Sequence, residues 1–392
     1  MTPSPTPAVP PHDERQLIHL GIDLGGTSLR VGAFDTDMQL LASRVMPTRV
    51  RSGPQAVVAD IADAIASLLD ETTAHAEAIG LGSPGPLNLV DGTLGQLPNF
   101  AGWDFFPLRT SLEQLTGLPV VLDGDANAAA LAEWKLGAGR NEGVDSMAML
   151  TLGTGVGSGI ILSGRIWHGI VGMGGEVGHI SVNYDGPACS CGGRGCLEYY
   201  ASATGIERSA RALASHSTGP LADLFANNST VTARQIADLA LTGDREARAI
   251  YTQVGRYLGR GLAGLVNTLD LPLYVIGGGV AAAWDLFAPE MYLTLRKLSY
   301  VYRLQQPSQL SRREPNRPFI TPAILGADAG LLGAAMLPTL SQNTTPDEPT
   351  TAHEPLSSRA CHRPPRWLPA SPFRGRNATK HAIVTNTNFS NP

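Results

Sequence analysis

The sequence predicts an α/β protein made of two related units, each opening on a β-hairpin around a glycine turn. Three observations carry that prediction. An apolar, β-rich run ends in Asp23-Leu24-Gly25-Gly26-Thr27 and resumes as alternating residues through Phe34. A second apolar run, residues 147–152, ends in Gly153-Thr154-Gly155 and resumes at Val156, repeating the same device. Between and beyond these hairpins the apolar spacing changes to that of helices.

Taken in order, residues 1–16 form a Pro-rich polar lead-in with neither the cationic start nor the apolar core of a signal peptide. After the first hairpin, Val57, Ile61, Ile65, Leu68 and Leu69 fall on one helical stripe. Residues 78–86 read as a short strand entering a Gly/Pro loop, 119–122 as another strand, and 125–136 as an Ala-rich helix. Beyond the second hairpin, residues 189–198 make a compact loop and helices fill roughly 200–270. Residues 273–281 are a buried strand running into Gly277-Gly278-Gly279, and 327–336 read as a closing helix. The expected division is a small domain over 17–122 that takes back the closing helix at about 323–338, a large domain over 123–322, and a tail over 339–392. That tail is rich in Pro, Ser, Thr and Arg, lacks periodicity, and reads as disordered.

Composition narrows the function classes. Lys+Arg of 29 against Asp+Glu of 34 gives a net charge of −5, which argues against binding nucleic acid through general basic charge. Four cysteines in 392 residues are too few for a disulfide scaffold. The most apolar later stretch, 261–287, is interrupted by Asn267, Asp270 and Pro272 and does not read as a membrane span. A cytoplasmic protein with no nucleic-acid or membrane partner is expected.

The glycine turns suit anion binding, because Gly25 and Gly26, or Gly153 and Gly155, let backbone N–H groups approach closely while Thr27 or Thr154 adds a hydroxyl. Asp23, at a strand end, is placed to hold Mg²⁺ through water. Gly277, Gly278 and Gly279 follow a strand and could abut the adenosine of a nucleotide. None of the turns is a Walker A or dinucleotide fingerprint. Each alone is as readily a hairpin turn needing positive φ; three in this order, two in matching hairpins, point to an ATP cleft between related domains.

His179 and the run Cys189-x-Cys191-Gly-x-x-Gly-Cys196 supply one imidazole and three thiolates, a full tetrahedral set for structural Zn²⁺. A disulfide would leave an odd thiol within the cluster. Cys361 lies in the tail as a free thiol. Asp125, between a strand and the Ala-rich helix, reads equally as a helix N-cap or as a general base. Glu176, three residues before His179, and Glu198, closing the cysteine loop, read alone equally as ordinary surface carboxylates or as functional groups.

The motifs DLGGT at 23–27, GSPGPL at 82–87, PNFAGW at 98–103, GDANAAALAE at 124–133, LGTGVGSG at 152–159, GGEVGH at 174–179, CSCGGRGCLE at 189–198 and VIGGGVA at 275–281 together resemble the ROK family, specifically its bacterial glucokinase-like sugar kinases. The resemblance covers about 17–338. It implies a two-lobed actin-like, ribonuclease-H-like ATPase fold with the active site in the cleft between domains. It implies ATP-dependent phosphorylation of a hexose, most simply glucose, with Asp125 as catalytic base. It also implies that Gly85, Asn99, Asp125, Glu176, His179 and Glu198 contact the sugar, His179 also ligating zinc, and that the chain forms a homodimer or homotetramer.

One departure stands out: family kinases usually carry Asn before the catalytic aspartate, and this chain has Gly124. Losing that side chain removes a hydrogen bond worth about 0.5–1.5 kcal/mol, which Asp123 or water would have to replace. Fructose, mannose, N-acetylmannosamine and N-acetylglucosamine therefore stay open as substrates, and polyphosphate as a donor. A sugar-sensing regulator of the same family would carry an N-terminal helix-turn-helix domain, where only about sixteen residues precede the first expected strand.

Overall fold

The computed structural model describes residues 16–96, 100 and 102–342, all within the unit spanning residues 1–344. The lead-in before Gln16, Asn99 and the tail with Cys361 lie outside the described residues. Strand β1 (Gln16–Leu24) turns at Gly25-Gly26 into β2 (Ser28–Phe34) and β3 (Leu40–Pro47). Helix α1 (Pro54–Thr72) carries the expected stripe inward: Val57, Ile61, Ile65 and Leu68 are buried. It is followed by β4 (Ala74–Ser83), a small hairpin β5 (Leu87–Asn88) and β6 (Thr93–Leu94), α2 (Leu108–Thr116) and β7 (Val120–Gly124). The first sheet has the order β3-β2-β1-β4-β7, with β1–β2 and β2–β3 antiparallel and β1–β4 and β4–β7 parallel.

Helix α3 (Asp125–Lys135) and α4 (Ala138–Glu142) lead to the second hairpin, β8 (Met147–Leu152) and β9 (Val156–Leu162), and to β10 (Arg165–Ile166). A helical layer follows: α5 (Leu197–Ala201), α6 (Ala203–Ala214), α7 (Pro220–Asn227), α8 (Ala233–Leu241) and α9 (Arg245–Leu269). Then come β11 (Leu273–Gly277), α10 (Trp284–Leu298), α11 (Tyr300–Gln305), β12 (Phe319–Pro322) and α12 (Ala329–Gln342). The second sheet has the order β10-β9-β8-β11-β12, and its pairings repeat the first: an antiparallel hairpin arm on one side of β8, parallel strands on the other. This duplicated topology is the actin-like, ribonuclease-H-like ATPase fold.

Each sheet has its own core. Ile18, Leu20, Ile22, Leu29 and Val31 pack with Ile61, Leu68 and Trp103 around the first; Leu150, Leu152 and Ile276 pack with Val254, Leu258, Leu262 and Phe287 beside the second. Burial of that many large side chains at roughly 1.5–3 kcal/mol each is the main cohesive term. The closing helix α12 lies against the first sheet, and the fit needs glycine: a Cβ at Gly21 would sit 2.8 Å from the Ala335 amide nitrogen and 2.9 Å from its Cβ. The helix runs past the expected end at 338, through Pro338 to Gln342. Strands β3 and β12 and helices α10 and α11 carry no motif and were absent from the expected elements. Among the described residues no helix is long and apolar enough to cross a membrane.

Candidate active site

Four acidic groups gather where the two sheets' turns face each other. Asp23 is the penultimate residue of β1 and Asp125 opens α3 directly after β7, so parallel pairing of β1, β4 and β7 brings both to the C-terminal ends of those strands. Burial pushes the Asp23 carboxyl up to about 6; the nearby Asp125 charge adds to this and Arg30 works against it. Arg30 is itself held by Asp328 Oδ1 at 2.5 Å and the Ala327 carbonyl at 2.6 Å. Asp125 is also raised by burial, opposed by the Ala126 amide, which donates to its Oδ1 at 2.7 Å. Among the described side chains no other group donates to Asp125, so it is not spent as a cap for the third residue of its helix.

Glu176 comes from the loop after β10 and faces Gly85 from the β4–β5 connection: a Cβ at Gly85 would lie 3.6 Å from Glu176 Oε1. Glu176 keeps an exposed face. Protein packed around it, with Asp125 and Glu198 nearby, still pushes its carboxyl up, while His179 pulls it down. Its backbone is fixed from β9, whose Ser158 hydroxyl bonds the Gly175 carbonyl and accepts from the Val177 amide at 3.3 Å. Glu198, in the first turn of α5, reaches back to the second glycine turn and accepts the Val156 amide at 3.0 Å.

The turns are not held open by left-handed backbone. Gly25, Gly26, Gly153 and Gly155 all lie outside the positive-φ set, so the simple hairpin reading does not account for them. Gly25 N donates to Ser28 O and Gly153 N to Gly155 O, both at 2.9 Å, which closes each turn. A Cβ at Gly153 or Gly279 would meet no protein atom within 4 Å, and one at Gly26 only Phe100, so three of these positions border open space. A Cβ at Gly155 would lie 2.3 Å from Glu198 Oε2, so that carboxylate would have to move aside for any larger residue. Gly278, at φ +82°, lies 2.6 Å (from its would-be Cβ) from the Leu152 amide and ties β11 to β8; Gly277 is the last strand residue. A cavity of about 670 Å³ opens beside the first turn, lined by Gly26, Thr27 and residues 48–52. Thr48, which no sequence motif marks, braces that turn through its hydroxyl to Gly25 O at 2.7 Å and its amide to Thr27 O at 3.0 Å.

His179, Cys189, Cys191 and Cys196 converge, their ligand atoms all within 4.8 Å of one another. Cys189 Sγ lies 3.8 Å from His179 Nδ1, and Cys191 Sγ 3.6 Å from Cys196 Sγ. A tetrahedral ion with Zn–S bonds of about 2.3 Å sets its ligands roughly 3.5–3.8 Å apart, so the cluster fits. Burial opposes ionisation at Cys189, yet hydrogen bonds from Cys191, Cys196 and His179 bring its thiol down to about 7; Cys196 is pushed up to about 12, first by burial. His179 directs Nδ1 at the sulfurs, which leaves Nε2 for another partner.

Asp123, the residue considered as a substitute for the missing Asn at position 124, is not available. It is buried, and its oxygens accept from Gly124 N (2.7 Å), Asn127 Nδ2 (2.8 Å) and His168 Nε2 (2.7 Å). Trp103 is fully buried, with Nε1 donating to Val50 O at 3.2 Å.

The family model described as "ROK family" matches residues 19–339. The chain belongs to the ROK family. It is 36% identical over 331 residues to a glucokinase of Halalkalibacterium halodurans, covering 83% of this chain and 96% of that one. It is 35% identical over 320 residues to an N-acetylmannosamine kinase of Escherichia coli O1:K1, covering 81% and 97%. A ROK family glucokinase from Streptomyces griseus, solved in complex with glucose and AMPPNP, superposes with a TM-score of 0.68 at 32% identity, covering 82% and 98%.

Proposed function

We propose that this ROK protein is an ATP-dependent hexose kinase, most simply a glucokinase, working in a cleft between a small lobe (17–122 with the closing helix) and a large lobe (123–322). The observation that carries this reading is the convergence of a poorly solvated Asp125 with Glu176, Glu198 and His179 between two matched glycine turns. The glucokinase and AMPPNP-bound relatives support it.

In this mechanism Glu176, Glu198 and His179 Nε2 accept or share sugar hydroxyls, with Gly85 beside Glu176; Asn99, outside the described residues, is assigned to the sugar by the family resemblance alone. Asp125 accepts the proton of the attacking hydroxyl as its oxygen bonds to the terminal phosphorus and ADP leaves. Its raised pKa makes it a better base than a solvated aspartate. Gly26, Thr27, Thr154 and Gly155 hold phosphate oxygens, Gly25 and Gly153 shape those turns, and Gly277–Gly279 border the adenosine. Asp23 would hold Mg²⁺ through water, and Mg²⁺ supplies charge neutralisation at the phosphates. His179, Cys189, Cys191 and Cys196 would hold Zn²⁺ structurally, keeping His179 and Glu198 in place.

A second reading, phosphorylation of an N-acetylhexosamine such as N-acetylmannosamine, is favoured by Gly124, which removes a side chain from beside the base. The test is coupled ADP release across glucose, mannose, fructose, N-acetylmannosamine and N-acetylglucosamine, with Asp125→Asn alongside. Glucose-dependent release that falls at least about 10²-fold in the variant supports the proposal. Release with no sugar dependence, or a fully active variant, rejects it.

A further inference from the structure

The loop that delivers Glu176 is tethered at its origin to the strand that delivers Asp125. His168 stands two residues after β10, in the second-sheet half of the chain; Asp123 is the penultimate residue of β7, in the first sheet. His168 Nε2 and Asp123 Oδ2 are 2.7 Å apart, and the Asp123 side chain is only 5% exposed. The other Asp123 oxygen is taken by Gly124 N and Asn127 Nδ2, so the carboxylate binds the β7–α3 junction and the loop at once. His168 also closes the loop through its backbone, its carbonyl accepting from Gly174 N at 2.8 Å. One further bond, Leu89 N to Val171 O at 3.1 Å, fastens the loop's middle to the β5–β6 hairpin. Immediately beyond Gly174 come Gly175, held by Ser158, and Glu176.

We propose that His168 and Asp123 are a positioning pair that sets the separation of Glu176 from Asp125, and so governs how tightly the sugar is held against the base. The inference deepens the hexose-kinase reading and rests on it for its activity arm. The chemistry suits the task. A buried carboxylate already satisfied on one side can still accept strongly from an imidazole, and a bond to a charged group is worth more than one between neutral groups. Without the imidazole, Asp123 loses its only tie to the loop after β10 among its described contacts. The seven residues of 168–174 then keep only the His168–Gly174 closure and the Leu89–Val171 bond. Neither residue touches the sugar in this account; both act through Glu176 and Asp125, where small displacements are costly.

The test compares His168→Ala, His168→Gln and Asp123→Asn with the unaltered chain. His168→Ala should raise the sugar KM about tenfold, leave the ATP KM within about twofold, and speed hydrogen exchange across residues 169–177. His168→Gln, whose amide can still donate to Asp123, should recover most of the sugar KM and the exchange protection. His168→Ala and Asp123→Asn combined should cost no more than the worse single change. A merely structural role would instead raise both KM values or lower Tm without rescue by Gln. Unchanged exchange at 169–177 in folded His168→Ala overturns the pair. Changed exchange in a chain that phosphorylates no sugar leaves the pair standing and rejects the kinase reading. An unchanged sugar KM in an active, folded His168→Ala rejects the link to substrate.

Discussion

Glu198 Oε2 accepts the Val156 amide at 3.0 Å, joining the end of the cysteine loop to the second glycine turn. The same carboxylate lies 2.3 Å from where a Cβ at Gly155 would stand, so a side chain there would displace it. The cysteine loop and the second glycine turn are therefore mechanically connected through one residue. Glu198→Ala should lower kcat/KM for both substrates, by about 10–100-fold, the value of a hydrogen bond to a charged group. Glu198→Gln keeps an acceptor for Val156 and should lose less. Steady-state kinetics with each substrate varied separately gives the answer; an effect on the sugar alone would show that the bond to Val156 is idle.

The cysteine cluster sits directly before that carboxylate in sequence. Elemental analysis of freshly purified protein should find about one zinc per chain. Cys189→Ser should abolish it, and a strong chelator should lower both Tm and sugar affinity, because metal binding to a site absent from the unfolded chain is folding energy. Zinc-free protein with full sugar affinity would dismiss the structural role.

Asp23 predicts a pH effect with a definite sign. Its folded pKa, about 6, lies above the ordinary 3.8 because burial and the Asp125 charge disfavour ionisation. Stability from this group is thus fully present below about pH 4 and is lost as pH rises through about 6. Asp23→Asn removes the penalty. Urea unfolding without nucleotide or Mg²⁺ should show no gap between variant and unaltered chain near pH 4. By pH 7 the variant should be more stable by on the order of 3 kcal/mol, while its kinase activity is impaired. A gap independent of pH would show that Asp23 is not desolvated.

Gly124 can be tested by restoring the family residue. Its backbone, at φ −65° and ψ 141°, accepts any side chain, and a Cβ there would sit 3.5 Å from Asn127 Nδ2, an ordinary contact. Gly124→Asn should lower the glucose KM about 2–10-fold without loss of stability. It should help an N-acetylhexosamine less. Equal KM values for every sugar before and after would place position 124 away from the substrate.

Much of this site was legible in one dimension. The hairpins announced themselves because a strand, a glycine turn and a strand are contiguous, and side-chain alternation is a local property. The cysteine loop was legible for the same reason: three ligands within eight residues have few other ways to fold. Strands β3 and β12 were missed because their partners, β2 and β11, carry the pairing information, and a strand with mixed exposure has weak periodicity. Thr48, Ser158 and His168 were missed because a hydroxyl or imidazole braces whatever the fold places beside it. The only signal for Ser158 was its position inside the glycine motif, and Thr48 and His168 had none.

The sequence by itself determined the duplicated α/β plan, the family, and which residue types could do phosphoryl-transfer chemistry. Only the tertiary structure decided that Gly25 and Gly153 spend their amides closing the turns, that Asp123 is committed to His168 and Asn127, and that Glu198 is bonded to Val156. The physical reason is the same in each case. A hydrogen bond is assigned by which donor lies about 3 Å from an acceptor, and residues 42 or 45 positions apart come that close only after both sheets have packed.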